Sequence, residues 1–145
     1  MKSYLIIKRI LDFIFASVLL FISSPIMILV AIAIKIESKG PVLFRQNRPG
    51  KNSMVFKVNK FRSMRVETEK NGKELSDFER MTKIGKFIRK TSIDELPQLF
   101  NILKGDMSFI GPRPLLVQYL DHYTPEQMRR HEITPGISGW AQING

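Results

Sequence analysis

Two adjacent carboxylates, Asp94 and Glu95, are the residues of this chain best suited to chemistry. They head an apolar pattern, Leu96, Leu99, Phe100 and Leu103, spaced i, i+3, i+4 and i+7, which Gly105 closes after Lys104. That spacing predicts a helix with one buried face and a glycine stop, so both carboxylates fall in its first turn. Unpaired backbone N–H groups and the positive end of the helix dipole favour ionised carboxylates there, by about 0.3 to 1 kcal/mol at an exposed site. An ionised aspartate is a usable nucleophile or metal ligand. Neighbouring residues on a helix point about 100° apart, so the two acids can take different roles. A structural account also stands: Ser92 and Glu95 have capping-box spacing, and Asp94 could itself cap a helix that tolerates Pro97 in its first turn.

Cations surround this pair in the sequence. Met81, Ile84, Phe87 and Ile88 give Phe78 to Lys90 a helical pattern whose other side carries Lys83, Lys86, Arg89 and Lys90. It delivers Arg89 close to Asp94, for charge balance or for phosphate binding. Further on, Gly111-Pro112-Arg113-Pro114 fixes the backbone around Arg113, which preorganises it for bidentate contact with a phosphate. Upstream, Val42-Leu43-Phe44 and Val55 to Val58 read as a hairpin around the turn-rich stretch 45–52, leading to Lys60-Phe61-Arg62-Ser63-Met64. Arg45, Arg48, Lys60 and Arg62 could gather anions there, or simply form a solvated face or touch lipid headgroups.

The elements that must position these groups start with an apolar run. Across 145 residues the formal net charge is +10, yet no charge lies between Asp12 and Lys35. Phe13 to Ile34 is long enough to enter a bilayer as helix. It exceeds a usual signal-peptide core, so it is expected to stay in the protein. Ser24-Pro25 sits near its middle, where the proline removes a donor and a break or kink is expected. Lys2, Lys8 and Arg9 precede the run and Lys35, Lys39, Arg45, Arg48 and Lys51 follow it. Both flanks suit the same side of a membrane, which a helix that enters and returns satisfies, and a kinked single span fits the same residues.

The remainder reads as small pieces. Arg65 to Asp77 is a polar loop, Asp106 to Ile110 a connector, Leu115 to His122 a short helix, and Thr124-Pro125-Glu126-Gln127 the capped start of another. Trp140 suits a membrane interface or a core. His122 and His131 lack the partner pattern of a metal site or triad and are expected to be structural or exposed. Without cysteine, disulfides and thiolate metal sites are excluded. The charge calls for anionic company, but the aromatic residues are not interleaved with the basic ones as nucleic-acid stacking requires, so no nucleic acid is expected.

Read together, Ser24-Pro25, Phe44 to Gly50, Lys60 to Met64, Ile84 to Arg89, Ser92 to Gln98, Lys104 to Pro114 and Pro135 to Trp140 resemble the bacterial sugar transferase family, the monotopic polyprenyl-phosphate hexose-1-phosphate transferases. The resemblance implies a mainly α (α+β) fold. A re-entrant helix-break-helix at 1–39, broken at Ser24 and Pro25, would precede a cytoplasmic domain at 40–145 with a short β-hairpin and several short amphipathic helices. It further implies that Asp94 attacks a nucleotide diphosphate sugar, usually a UDP-sugar, and that polyprenyl phosphate then takes the phosphosugar. Glu95 would hold Mg²⁺. Arg89 would meet the polyprenyl phosphate and Arg113 a donor or intermediate phosphate, with Lys60, Arg62, Arg45 and Arg48 as further substrate-binding cations. The location implied is the cytoplasmic face of the bacterial inner membrane, with homo-oligomerisation left open. Family members usually continue past Trp140 to Gly145, so a C-terminally shortened domain with poor turnover is expected. The rival readings are a membrane-tethered basic binding protein without catalysis and an inactive remnant.

Overall fold

The computed structural model describes residues 2–144. Met1 and Gly145, the outer bounds of the two expected segments, lie outside the described residues, as does the Lys2 side chain. The first element is a single helix, α1 (Lys2–Glu37). Among the described residues it is the one helix long and apolar enough to cross a membrane, and most of its side chains are exposed. The helix is not broken at Ser24-Pro25, since Pro25 lies inside α1. Proline lacks the N–H that would bond the Phe21 carbonyl one turn back. Ser24 Oγ donates to that oxygen at 2.8 Å, so the freed acceptor is satisfied and the helix continues.

Strands β1 (Leu43–Pro49) and β2 (Val55–Phe61) then pair in a two-stranded sheet. Its turn is tighter than composition suggests: Gly50 N donates to Met54 O at 2.8 Å, which leaves Arg45 and Arg48 in strand rather than in the turn. Within the polar loop a small antiparallel pair, β3 (Glu69–Lys70) and β4 (Lys73–Glu74), flanks Asn71-Gly72.

The helix expected over 78–90 is two helices, α2 (Asp77–Arg80) and α3 (Lys83–Lys90). Between them Thr82 is extended, and its hydroxyl accepts from Gly85 N as the N-cap of α3. Similarly, the helix expected from Asp94 onward is a 3-10 turn, Ile93–Glu95, followed by α4 (Gln98–Lys104). Pro97 cannot donate to the ladder, and the two pieces separate there. The buried face of α4 is also rotated from the expected one. Leu99, Gln98, Asn101 and Ile102 are buried, whereas Phe100 is exposed. Asn101 is drawn inward by hydrogen bonds: its Oδ1 accepts from Asn59 N at 3.0 Å and its Nδ2 donates to Lys57 O at 2.8 Å.

The connector after α4 contains β5 (Ser108–Ile110), which pairs in parallel with β6 (Gly136–Ser138). The short helix expected at 115–122 is a 3-10 turn, Val117–His122. Thr124 and Gln127 form the predicted capping box of α5 (Pro125–Met128), which a further 3-10 turn, Arg129–Glu132, extends. Helix α6 (Trp140–Asn144) follows. Trp140 is 83% exposed, so it does not fill a core.

The chain forms two compact units, one of Met1–Leu20, Arg45–Asn59 and Gln98–Gly145, the other of Phe21–Phe44 and Lys60–Pro97. In the first, the start of α1 is fastened to the α4–β5 segment. Lys8 Nζ pairs with Asp12 at 3.1 Å and donates to Ser108 Oγ, Asp12 accepts from Phe109 N, and Arg9 donates to the Ile102 and Leu103 carbonyls. Gly105, at φ +95, makes the left-handed stop expected of it. The second unit is built on Ile34, Phe61 and Ile88, with Val30, Val42, Ile84 and Ile93 packed against them.

Candidate active site

A tight turn, not a helix, presents Asp94 and Glu95. After α3, Ser92 adopts φ +57, a left-handed conformation usually left to glycine at helix ends, and redirects the chain into Ile93–Glu95. Its side chain makes no cap, so the capping box is not formed; only the backbone of Glu95 reaches Ser92 O, at 3.2 Å.

From β2, Lys60 Nζ donates to Glu95 Oε1 at 2.6 Å, and both side chains are about three-quarters buried. Asp94 is half-buried. Burial pushes its pKa up from the ordinary carboxylate range; Lys60 and Arg89 pull it down and the Glu95 charge adds to the rise. The net direction is a more basic carboxylate held beside two cations.

Arg89 is aimed from α3 by contacts that the whole helix shares. Its Nε donates to Ser63 Oγ at 2.8 Å. Ser63 O in turn accepts from Thr82 N at 3.1 Å and from Thr82 Oγ1 at 3.2 Å. A Cβ on Gly85 would lie 1.8 Å from that same oxygen, so glycine is what lets α3 approach this close. At the start of α3, the Glu37 carboxylate accepts from Lys83 N at 2.7 Å and Ile84 N at 2.8 Å. With Thr82 on Gly85, three first-turn donors are met.

The site residues expected from sequence divide accordingly. Lys60, Arg89, Asp94 and Glu95 are gathered in one unit, which Arg62 shares in a different capacity. Arg62 is buried, and its guanidinium donates to Lys39 O at 2.6 Å and Ser38 O at 2.9 Å, holding the C-terminal end of α1. Arg45, Arg48 and Arg113 belong to the other unit. Arg45 is exposed on β1, while Arg48 Nη2 donates to Gln46 Oε1 at 2.7 Å. Burial, and then the Arg113 charge, lower the Arg48 pKa. Two bonds brace the Pro-Arg-Pro backbone: Gly136 N to Pro112 O at 3.1 Å, and Arg130 Nη2 to Arg113 O at 2.9 Å. His131 is buried with Nδ1 facing Gly50 O and its ring tilted on Tyr123, and His122 is exposed.

A profile described as bacterial sugar transferase matches residues 3–145, through every element just described. The chain belongs to the bacterial sugar transferase family. This bacterial sugar transferase is 50% identical over 141 residues to the sugar transferase EpsL of Bacillus subtilis (strain 168), covering 97% of this chain and 70% of EpsL. It is 49% identical over 145 residues to the UDP-N-acetylgalactosamine-undecaprenyl-phosphate N-acetylgalactosaminephosphotransferase of Aeromonas hydrophila, covering 97% of this chain and 34% of that enzyme. With the UDP-glucose:undecaprenyl-phosphate glucose-1-phosphate transferase of Escherichia coli (strain K12) it shares 46% identity over 145 residues, 97% of this chain and 31% of the enzyme. The chain thus spans about a third of the length of the last two relatives.

The expected Mg²⁺ can be tested against the donors. Among the described residues no group of three or more His, Asp or Glu gathers as a closed cage. Mg²⁺ is usually held by one or two carboxylates together with substrate phosphates and water. Adjacent Asp94 and Glu95 fit that open arrangement, with Glu95 the carboxylate that would hold the ion if Asp94 is the nucleophile.

Sequence reading missed the supports, Ser63, Gly85, Thr82 and Glu37. Ser63 and Gly85 lie inside motifs that carried the family resemblance, but nothing local pairs them. Thr82 followed by Gly85 was a legible N-cap signal.

Proposed function

We propose that this bacterial sugar transferase moves a sugar phosphate from a nucleotide diphosphate sugar, a UDP-sugar, to polyprenyl phosphate through a covalent intermediate on Asp94. The observation that carries the reading is the half-buried, basic Asp94 carboxylate set among Lys60, Arg89 and Glu95. A carboxylate oxygen of Asp94 attacks the sugar-bearing phosphorus, and the bond to the bridging oxygen breaks. UMP leaves with that electron pair. A polyprenyl phosphate oxygen then attacks the same phosphorus and Asp94 departs as carboxylate, giving polyprenyl diphosphate sugar. Covalent catalysis divides one hard displacement into two, and phosphoryl transfer depends chiefly on positioning and on charge placed against the phosphate oxygens. Arg89, steadied by Ser63, suits the acceptor phosphate. Mg²⁺ on Glu95 would supply further neutralisation of diphosphate charge. The names of the Aeromonas and Escherichia relatives, with their undecaprenyl-phosphate acceptors, support the substrate classes.

The proposal extends to topology: α1, helical throughout, bends at Pro25 so that it enters and leaves the cytoplasmic face of the inner membrane. Its two ends are each tied to polar chain, Lys8, Arg9 and Asp12 to 102–109, and Glu37 to Lys83 and Ile84. Those polar segments are joined covalently with no second helix able to cross, among the described residues. Cysteines placed at Lys2 and Lys39 of this cysteine-free chain should both react only from the cytoplasm; labelling of either from outside rules out re-entry.

UMP release from a panel of UDP-sugars, with Mg²⁺ and short-chain polyprenyl phosphate, tests the chemistry. This chain, a version extended to its relatives' length, and Asp94→Asn are compared. Release that needs acceptor, metal and Asp94 is expected, and the panel names the sugar. No release from the extended version would overturn the proposal.

A further inference from the structure

We propose that Lys60 and the divalent cation compete for Glu95, so that Lys60 is the resting occupant of the metal position and is set free when the ion arrives with the donor. This rests on the reading of Glu95 as the metal ligand. Lys60 Nζ lies 2.6 Å from Glu95 Oε1, a charge-assisted hydrogen bond between two side chains about three-quarters buried. Mg²⁺ sits about 2.0 to 2.1 Å from its oxygen ligands. An ion on Oε1 would therefore lie no more than about 4.7 Å from the ammonium, a dication facing a monocation with little water between them. Both cannot remain. Lysine is a compact charge on a flexible stem, free to swing away. Arg89 is held differently, by its bond to Ser63 on a helix locked through Gly85.

The released ammonium has somewhere to go. Asp94 is next to Glu95, and Lys60 already attracts its carboxylate. A phosphosugar arriving at Asp94 brings phosphate oxygens to the same neighbourhood, where a freed lysine can donate to them. Without donor, the ion must displace Lys60 uncompensated, so it binds weakly. With donor, the diphosphate supplies oxygens to the ion and a new partner to Lys60. Metal and donor then raise each other's affinity by one common factor, as linkage requires. The lysine thereby keeps Glu95 neutralised between turnovers and keeps adventitious cations off the site.

Mn²⁺, read by its free-ion EPR signal, serves as the probe, titrated into the whole chain in nanodiscs without nucleotide. Lys60→Met should bind Mn²⁺ about tenfold more tightly than wild type, the effect of removing one nearby charge. Lys60→Arg, which keeps the cation, should stay close to wild type, and Glu95→Gln should lose the site. A second readout leaves the fold untouched: amine acetylation of Lys60 in wild type, quantified by mass spectrometry, should rise at saturating Mn²⁺ without nucleotide, where no donor phosphate takes up the released amine, and should not rise in Glu95→Gln. Unchanged Mn²⁺ affinity in Lys60→Met, with Glu95→Gln still losing the ion, overturns the competition and leaves the metal ligand standing. Full Mn²⁺ binding by Glu95→Gln overturns the metal ligand itself. Acetylation of Lys60 indifferent to saturating Mn²⁺ in wild type also overturns the competition.

Discussion

Replacing Gly85 with alanine should dismantle the site without touching a group that meets substrate. The added Cβ would stand 1.8 Å from Ser63 O, 2.6 Å from Ser63 C and 2.7 Å from Ser63 Cα. All three are backbone, so no side chain can rotate out of the way. The first contact falls about 1.6 Å short of the 3.4 Å at which ordinary contact begins, and α3 must withdraw by roughly that distance. Withdrawal stretches the bonds from Thr82 N and Thr82 Oγ1 to Ser63 O and from Arg89 Nε to Ser63 Oγ beyond hydrogen-bonding range. Each is worth about 0.5 to 1.5 kcal/mol net, more for the guanidinium. A loss of about 3 kcal/mol follows, or a Tm lower by about 10 °C at this chain length. Displacing Arg89 by more than 1 Å should also reduce turnover by about 100-fold. Thermal melts in detergent and UMP release on the extended protein measure the two effects. A Gly85→Ala protein with unchanged Tm and turnover would refute the close packing of α3 on Ser63 and the role given to it.

Other substitutions separate structure from chemistry. Arg62→Lys keeps a charge but not the two-pronged grip on Ser38 O and Lys39 O, and should lower stability by about 1.5 to 3 kcal/mol; a change confined to the substrate KM would instead make Arg62 a substrate ligand. Ser24→Ala strands the Phe21 carbonyl inside α1 and should cost about 0.5 to 1 kcal/mol by detergent unfolding, whereas no change would show that Ser24 is idle. Asp94 has a folded pKa above its unfolded one, so the folded protein holds the proton more tightly. Stability therefore falls as pH rises from the ordinary carboxylate range through the folded pKa, and the full cost of the buried charge is present at neutral pH. Asp94→Asn should melt higher than wild type at pH 7, with the gap closing in acid; a variant that melts lower at pH 7 contradicts the burial account. Activity should rise with pH as Asp94 ionises, and Lys60→Met should move that limb upward by removing an attractive charge.

That Asp94 and Glu95 lie in one unit with Arg89 was legible because the motif follows directly on the helix that carries the arginine. Their local geometry was less so. Periodicity joined Asp94 to Leu103 in one helix, but Pro97 separates a 3-10 turn from α4, and the buried side of α4 follows the hydrogen bonds of Asn101 rather than the apolar count. Arg62 read as a phosphate ligand since it lies two residues from Lys60 in one basic run; only the fold shows the Ser38 and Lys39 carbonyls, just past α1, that claim it. Glu37 capping α3 and Ser63 receiving it are long-range pairings, for which a single sequence holds no signal. Ser24-Pro25 was legible as a site of backbone disturbance, but the Ser24 hydroxyl keeps the helix running through it.

The covalent step on Asp94 is tested most directly by trapping it. The extended transferase is incubated with a UDP-sugar labelled in its sugar-bearing phosphate, with Mg²⁺ and without acceptor, then digested and mapped. Label on the peptide containing Asp94, labile to hydroxylamine, absent from Asp94→Asn and discharged by polyprenyl phosphate, is the predicted result. Turnover that proceeds with no label on that peptide, or that survives Asp94→Asn, would contradict the account.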